Sequence, residues 1–147
     1  MSAPQWQLWV DGTALPNPGR IGLGIVLAGP DGQRQSQSQA PGQQGCNNSA
    51  ELQALCLGLR LAAAAGVQHL QAYSDSDFVV RHVLGQQQTA VPRLRPLIAA
   101  AQELLAGFEE VELRWLPRHR NGEADLLARA AVGLGAKLSK PLRRKRR

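Results

Sequence analysis

Apolar and polar positions change period several times along the 147-residue chain, and each change marks an element. In QWQLWVD (5–11), Trp6, Leu8 and Val10 fall on one face and Trp9 and Asp11 on the other, the two-residue repeat of a strand. GLGIVLAGPDGQRQSQSQA (22–40) predicts an apolar strand, a Pro-Asp-Gly turn at 30–32 and a polar strand suited to a sheet edge, together an antiparallel hairpin. From Asn48 to Ala65, the positions Leu52, Leu55, Cys56, Leu59, Ala62 and Ala63 follow the helical period, with Gly66 as the closing residue. HLQAYSD (69–75) returns to strand. DFVVRHVLG (77–85) predicts a short helix closed by Gly85, and VPRLRPLIAAAQELLAG (91–107) a longer one with Pro96 in its first turn. VELRWLP (111–117) is the last strand and GEADLLARAAVGLGA (122–136) the last helix. Trp6, Trp9 and Trp115 all sit inside strand patterns and are assigned to the core rather than to base stacking.

The order βββαβααβα predicts an α/β fold. A five-stranded mixed sheet is expected, its three N-terminal strands antiparallel and the later ones parallel, with helices on its faces. Residues 1–136 are enough for one domain with a core that needs neither disulfides nor a structural metal. Cys46 and Cys56 are the only cysteines, and no zinc-type spacing surrounds them. MSAPQWQLWV lacks the pattern of a secretory leader, and no stretch approaches the roughly 18 apolar residues of a membrane span. A cytoplasmic, monomeric chain with free thiols is expected.

The net charge of +6 changes this picture only once it is located. Lys137, Lys140, Arg143, Arg144, Lys145, Arg146 and Arg147 lie in the last eleven residues, which hold no acid. Removing those seven from 17 basic residues leaves ten arginines against eleven acids, so residues 1–136 carry about −1. A basic block of this kind is expected to be disordered and drawn to polyanions, nucleic acid first among them. A solvated tail with no partner and, in a eukaryotic host, a nuclear-localisation signal are the other readings.

Four carboxylates stand out by position. Asp11 lies at the expected end of the first strand, Glu51 in the first turn of the long helix, Asp75 at the end of the fourth strand and Asp125 near the start of the last helix. Each has a structural reading. Asp11 can open an Asp-Gly turn, Asn48 with Glu51 satisfies a capping box, Asp75 or Ser76 can cap the helix that follows, and Asp125 suits the positive end of a helix dipole. Yet strand ends and helix starts converge at one edge of an α/β sheet, where all four can meet. Acids brought that close repel unless cations neutralise them, and hard oxygen ligands suit Mg²⁺.

DGTALPNPGRIGLG (11–24), NNSAELQAL (47–55), YSDSDFVV (73–80) and RHRNGEADLLARAA (118–131) resemble the successive motifs of the type 1 ribonuclease H family, in its order and with the spacings of its compact members. The resemblance covers about residues 5–134. It implies a ribonuclease H-like fold and an endonuclease that cuts the RNA strand of RNA–DNA hybrids, leaving 5′-phosphate and 3′-hydroxyl ends. It assigns the metal-binding carboxylates to Asp11, Glu51, Asp75 and Asp125, with two Mg²⁺ ions, or Mn²⁺ in their place, as cofactor. On that reading Asp11 is shared by both ions, Glu51 and Asp75 face the leaving-group side, and Asp125 faces the attacking water. His119 is a candidate proton relay, its alternative being an ordinary loop histidine. Only five residues separate it from Asp125, fewer than in longer family members.

The resemblance also places Asn17, Asn47, Asn48 and Ser76, with the Gly12 backbone, beside the hybrid, where the ribose 2′-hydroxyl distinguishes RNA from DNA. Asn17 in NPG can equally be a turn residue. Two departures bear on the DNA strand. Residues 86–95 (QQQTAVPRLR) carry two basic side chains where several family members have a basic, Trp-containing protrusion, and Cys46 replaces the threonine that usually precedes the paired asparagines. A weaker phosphate pocket for that strand is expected. Two rival functions are a non-catalytic hybrid- or RNA-binding protein on the same fold, which intact acidic positions disfavour, and another nuclease of the wider superfamily, for whose extra motifs 147 residues leave little room.

A near-neutral body that must hold a polyanion assigns the tail the work of the missing protrusion. Each phosphate contact steepens the fall of log affinity with log salt by a little under one unit, and about three to five effective contacts are expected. Removing residues 137–147 should therefore raise KM at moderate salt, flatten its salt dependence and leave turnover at saturating hybrid unchanged. Cleavage assays of both lengths across a salt series check this; equal slopes would rule the tail out as an anchor.

Overall fold

The computed structural model describes residues 4–133. The tail expected at 137–147, and the end of the domain expected at 136, lie outside the described residues. The elements run β1 (Trp6–Leu15), β2 (Gly19–Ala28), β3 (Arg34–Gln39), β4 (Gln44–Gly45), α1 (Asn47–Ala64), β5 (His69–Ser74), α2 (Asp77–Val83), α3 (Arg95–Ala106), β6 (Glu110–Trp115) and α4 (Gly122–Ala131). The sheet order is β3-β2-β1-β5-β6, antiparallel among the first three strands and parallel for β1, β5 and β6. The five-stranded mixed sheet is as expected. The two-residue β4, too short to leave a periodic trace, adds to it by pairing with Gly19 and Arg20 of β2.

The two faces of β1 separate two kinds of packing. Leu8 and Val10, with Ile21, Leu23, Ile25 and Leu27 of β2, are buried with Leu52, Leu55, Cys56 and Leu59 of α1 in one core. Burying each such leucine or isoleucine contributes roughly 2 kcal/mol. Ala63, expected in this core, is on the solvent side of α1. On the opposite face lies α4. Gly24 sits across from Asp11 in the β1–β2 ladder, and a Cβ there would fall 2.0 Å from the Ala124 carbonyl oxygen and 2.6 Å from the Ala128 nitrogen. Only a bare Cα lets the helix backbone come so near.

Several local expectations are corrected. β1 runs on to Leu15, so Asp11–Gly12 is mid-strand and makes no turn. Antiparallel pairing with β2 carries the strand four residues past Asp11, a tertiary partnership that the Asp-Gly dipeptide does not reveal. The last helix ends at Ala131, not 136, because Gly133 takes φ 86° and breaks the helical path. Trp115 is 52% exposed, since β6 is an edge strand with one open face. Trp6 packs at the margin of the core, and Trp9 stacks on Tyr73 with ring centroids 5.7 Å apart. Among the described residues no helix is long and apolar enough to cross a membrane.

Replacing Gly24 by Ala should push α4 off the sheet. The obstructing atoms are backbone and cannot rotate away, so a loss near 3 kcal/mol is expected, about 10 °C in Tm for a domain of this size. Thermal denaturation followed by circular dichroism measures it.

Candidate active site

Parallel pairing between β1 and β5 stops at Val10–Ser74, and an aspartate follows each of those two residues. Asp11 and Asp75 therefore occupy the mouth of a fork. Glu51 enters from α1. A Cβ on Gly12 would lie 2.2 Å from the Ala50 carbonyl oxygen, so the bare glycine lets the helix backbone touch the strand. The Gly12 N–H donates to Glu51 Oε1 at 3.1 Å. One carboxylate oxygen from each of Asp11, Glu51 and Asp75 lies within 4.8 Å of the others.

Why these acids are free to gather is a matter of capping. The expected Asn48–Glu51 box does not form. Helix α1 starts earlier, with Cys46 at its N-cap: Ser49 N–H donates to Cys46 Sγ at 3.4 Å, and Cys46 N–H donates to Ser49 Oγ at 3.0 Å. That leaves the Glu51 carboxylate to the site. Ser76 Oγ accepts from Val79 N–H at 3.1 Å and caps α2, which releases Asp75 in the same way.

Asp125 lines the same cleft, a polar recess of about 320 Å³, but stands outside the group of three. Its Oδ1 pairs with Arg129 Nε at 3.1 Å, one helical turn on. Burial pushes the Asp11 carboxyl up to about 7, with the charge of Asp75 adding to the rise and a hydrogen bond from Glu51 opposing it. Burial, then the charges of Asp11 and Asp75, hold Glu51 well above the ordinary carboxylate range. These are groups that a cation would satisfy.

Of the expected substrate-side residues, Gly12, Asn47, Asn48 and Ser76 line the cleft. Asn17 does not; its Oδ1 accepts from the Asn47 N–H at 3.0 Å, while Asn47 Oδ1 accepts from the Ala14 N–H at 2.9 Å. Those two bonds tie the β1–β2 turn to the start of α1. His119 lies exposed on a 3-10 turn, Arg118–Arg120, beside the cleft but not lining it. Arg93, one of the two basic residues of 86–95, donates towards Cys46 Sγ at 3.7 Å. Burial raises the Cys46 thiol, but the Ser49 N–H and Arg93 outweigh it and leave the thiol below its usual value.

Four residues escaped the sequence reading. Arg118 and Arg129 bring positive charge to the cleft, and only their spacing from Asp125 hinted at it. Trp115 Nε1 donates to the Asp75 carbonyl at 3.1 Å. Asn121, 2% exposed, precedes α4 where an asparagine ordinarily caps, yet its side chain makes no cap bond. It reaches instead to Val10 and Asp75, donating from Nδ2 to the Val10 carbonyl at 2.9 Å and to Asp75 Oδ2 at 3.1 Å. A larger groove of about 530 Å³ along α1 and α3 contains Arg60 and Arg93 but no carboxylate, so the acid chemistry belongs to the smaller recess.

The family model described as reverse transcriptase-like matches residues 9–131. Ribonuclease HI of Halobacterium salinarum is 34% identical over 84% of this chain, which spans 62% of that protein's length. A bifunctional protein of Mycobacterium tuberculosis is also 34% identical, and the chain spans 35% of it. The crystal structure of the Halobacterium RNase H1 superposes with TM-score 0.83 at 32% identity, covering 87% of this chain and 97% of that one. The N-terminal RNase H domain of the mycobacterial protein gives 0.80 at 30% identity, covering 94% and 100%. LC11-RNase H1, solved in complex with an RNA/DNA hybrid, shares the fold with TM-score 0.74 at 24% identity, covering 92% and 99%.

The carboxyl shifts fix the sign of the metal-free pH dependence. Asp11 keeps its proton to about pH 7 when folded and to about 3.8 when unfolded, so folding takes up a proton between those values. The stability it contributes is full below about pH 4 and is lost as pH rises through 7, and Glu51 acts in the same direction. Without metal, Tm should fall between pH 5 and pH 8, by less in Asp11→Asn; saturating Mg²⁺ should remove most of the fall at pH 8. A calorimetric pH series with chelator and with Mg²⁺ checks it.

Proposed function

The chain belongs to the type 1 ribonuclease H family, and from that premise we propose that it is a metal-dependent endonuclease hydrolysing the RNA strand of RNA–DNA hybrids. The observation that carries this reading is the gathering of Asp11, Glu51 and Asp75 oxygens within 4.8 Å of one another. Acidic oxygens so close, with the Asp11 carboxyl pushed up to about 7, fit hard divalent cations. Asp11, Glu51, Asp75 and Asp125 would hold them. When bound, two Mg²⁺ ions, or Mn²⁺ in their place, supply neutralisation of phosphate charge and a water ionised near neutral pH.

The chain's own groups orient the rest. Asp11, which feels the charge of Asp75 and a hydrogen bond from Glu51, would be the ligand common to both cations. Glu51, anchored by the Gly12 N–H, and Asp75, gripped by Asn121, face the leaving 3′ oxygen. Asp125 would serve the side of the attacking water, and Arg129, now paired with it, would be available to phosphate once that carboxylate holds a cation. His119, exposed beside the cleft, relays a proton for the leaving or attacking oxygen. Cleavage on this side of the phosphorus leaves 5′-phosphate and 3′-hydroxyl ends.

Recognition of the hybrid falls to the rim of the cleft. Asn17 and Asn47 spend their carbonyl oxygens on backbone N–H groups, which leaves the Nδ2 donors for sugar and base edges in the minor groove. Asn48, Ser76 and the Gly12 backbone line the path of the RNA strand. The RNA/DNA complex of LC11-RNase H1 supports a hybrid as substrate. The basic segment 137–147 would add phosphate contacts beyond a domain closed by residue 136.

The test is direct. Labelled RNA–DNA hybrid, RNA duplex, DNA duplex and single strands are incubated with protein and Mg²⁺, and only the RNA of the hybrid should be cut. Asp75→Asn should lower turnover by more than about 10²-fold while Tm without metal stays equal or rises, because the variant loses a ligand and also a repulsive charge. Substantial turnover by the purified variant would overturn the assignment.

A further inference from the structure

Asn121 is buried, and its hydrogen bonds reach the end of the β1–β5 pairing at Val10, the Asp75 carboxylate and the backbone of Asp125. At Val10 the parallel ladder to β5 ends, so the Val10 carbonyl needs a donor from elsewhere. Asp75, just past the end of β5, can rotate about its side-chain bonds unless held. The Asn121 amide answers both needs from one nitrogen, which carries two N–H groups and meets two acceptors at 2.9 and 3.1 Å. Its own Oδ1 is buried with no partner among the described residues. Turning the amide over would give that oxygen no donor either and would set it against two other oxygens. The site therefore keeps an unpaired acceptor in order to present two donors. The Asn121 backbone carbonyl also accepts the Asp125 N–H at 3.0 Å, so the residue that grips Asp75 also starts the helix that supplies Asp125.

We propose that Asn121 is a positioning residue: its amide fixes the Asp75 carboxylate against the end of β1 and thereby sets the affinity of the acidic site for a divalent cation. No other natural side chain of this size offers two donors on one atom. A serine or threonine hydroxyl has one hydrogen, aspartate has none at neutral pH, and leucine has the same branched shape with no donor. Partners that orient a metal-binding carboxylate alter cation affinity by about 10- to 100-fold when removed. The inference rests on the proposed function insofar as that reading gives Asp75 a cation to bind.

The experiment uses the full chain and needs no substrate. Tm is measured in chelator and then against rising Mg²⁺, and separately Mn²⁺, for the wild type, Asn121→Ala and Asn121→Leu. A ligand that binds only the folded state raises Tm with its concentration, so the curve reports the affinity. The wild type should gain Tm. Both variants should need at least about tenfold more cation for the same gain, whatever their starting Tm. Asn121→Leu fills the space and decides the matter if Asn121→Ala fails to fold. In cleavage assays, raised Mg²⁺ should restore much of the variants' kcat while KM for hybrid stays at the wild-type value. A leucine variant with the wild-type cation response would show that Asn121 only fills space and would overturn the inference. A wild type with no response at all would instead overturn the cation reading, and this inference with it.

Discussion

Mutual repulsion among one buried and two half-buried carboxylates is the constraint around which this molecule is built. Asp11, Glu51 and Asp75 would separate if their backbones were free, since burial and charge together push the Asp11 carboxyl up to about 7. They stay because each is carried by an element that is fixed for other reasons. β1 is paired on both sides as far as Val10, α1 is seated on it through Gly12 and the Leu8–Val10 core, and β5 is held between β1 and β6. The hydrophobic core supplies the free energy, and the site consumes a part of it.

The same constraint accounts for the way the helix ends are made. The sequence sets Glu51 and Asp75 at helix starts, where an acid ordinarily serves the helix by capping or through the dipole, but α1 begins at Asn47 and α2 at Asp77, which puts Glu51 beyond the first turn and Asp75 before the cap. Here Cys46 with Ser49 caps α1 and Ser76 caps α2, so Glu51 and Asp75 owe nothing to their helices. Asn121 goes further. It gives up the capping of α4 and leaves its own oxygen unpaired while its nitrogen serves Val10 and Asp75. Trp115, exposed on the edge strand, adds a bond to the Asp75 carbonyl. The local rules are set aside around the acids and kept elsewhere, as expected where a site has been built into a fold.

Charge is distributed unevenly over the cleft. Among the described residues no basic side chain pairs with Asp11, Glu51 or Asp75, whereas Asp125 is paired with Arg129. On the proposed function Asp11, Glu51 and Asp75 would meet a cation directly, whereas the Asp125 carboxylate would exchange one positive partner for another. The substrate side shows a similar economy, with Asn17 and Asn47 using one end of each amide to brace the β1–β2 turn against α1.

The sequence by itself determined the order and kind of the main elements, the mixed sheet, and that Asp11, Glu51, Asp75 and Asp125 line one cleft. Apolar periodicity is local, so Leu8 and Val10 or Leu52 to Ala62 declare a strand and a helix without reference to anything distant. The motifs around Asp11, Glu51, Asp75 and Asp125 were legible for the same reason, each being a short run of residues. What the tertiary structure decided is everything that depends on a partner far along the chain. Asp11 proved to be mid-strand because β2 continues to pair beyond it, Trp115 proved exposed because β6 has no outer neighbour, and Glu51 proved free because Cys46 and Ser49 cap first. Asn121 was invisible as an ordinary residue before a helix, since its two acceptors lie 111 and 46 residues away. Hydrogen bonds across such separations follow from where the backbone has been brought, and no local pattern of residue types encodes them.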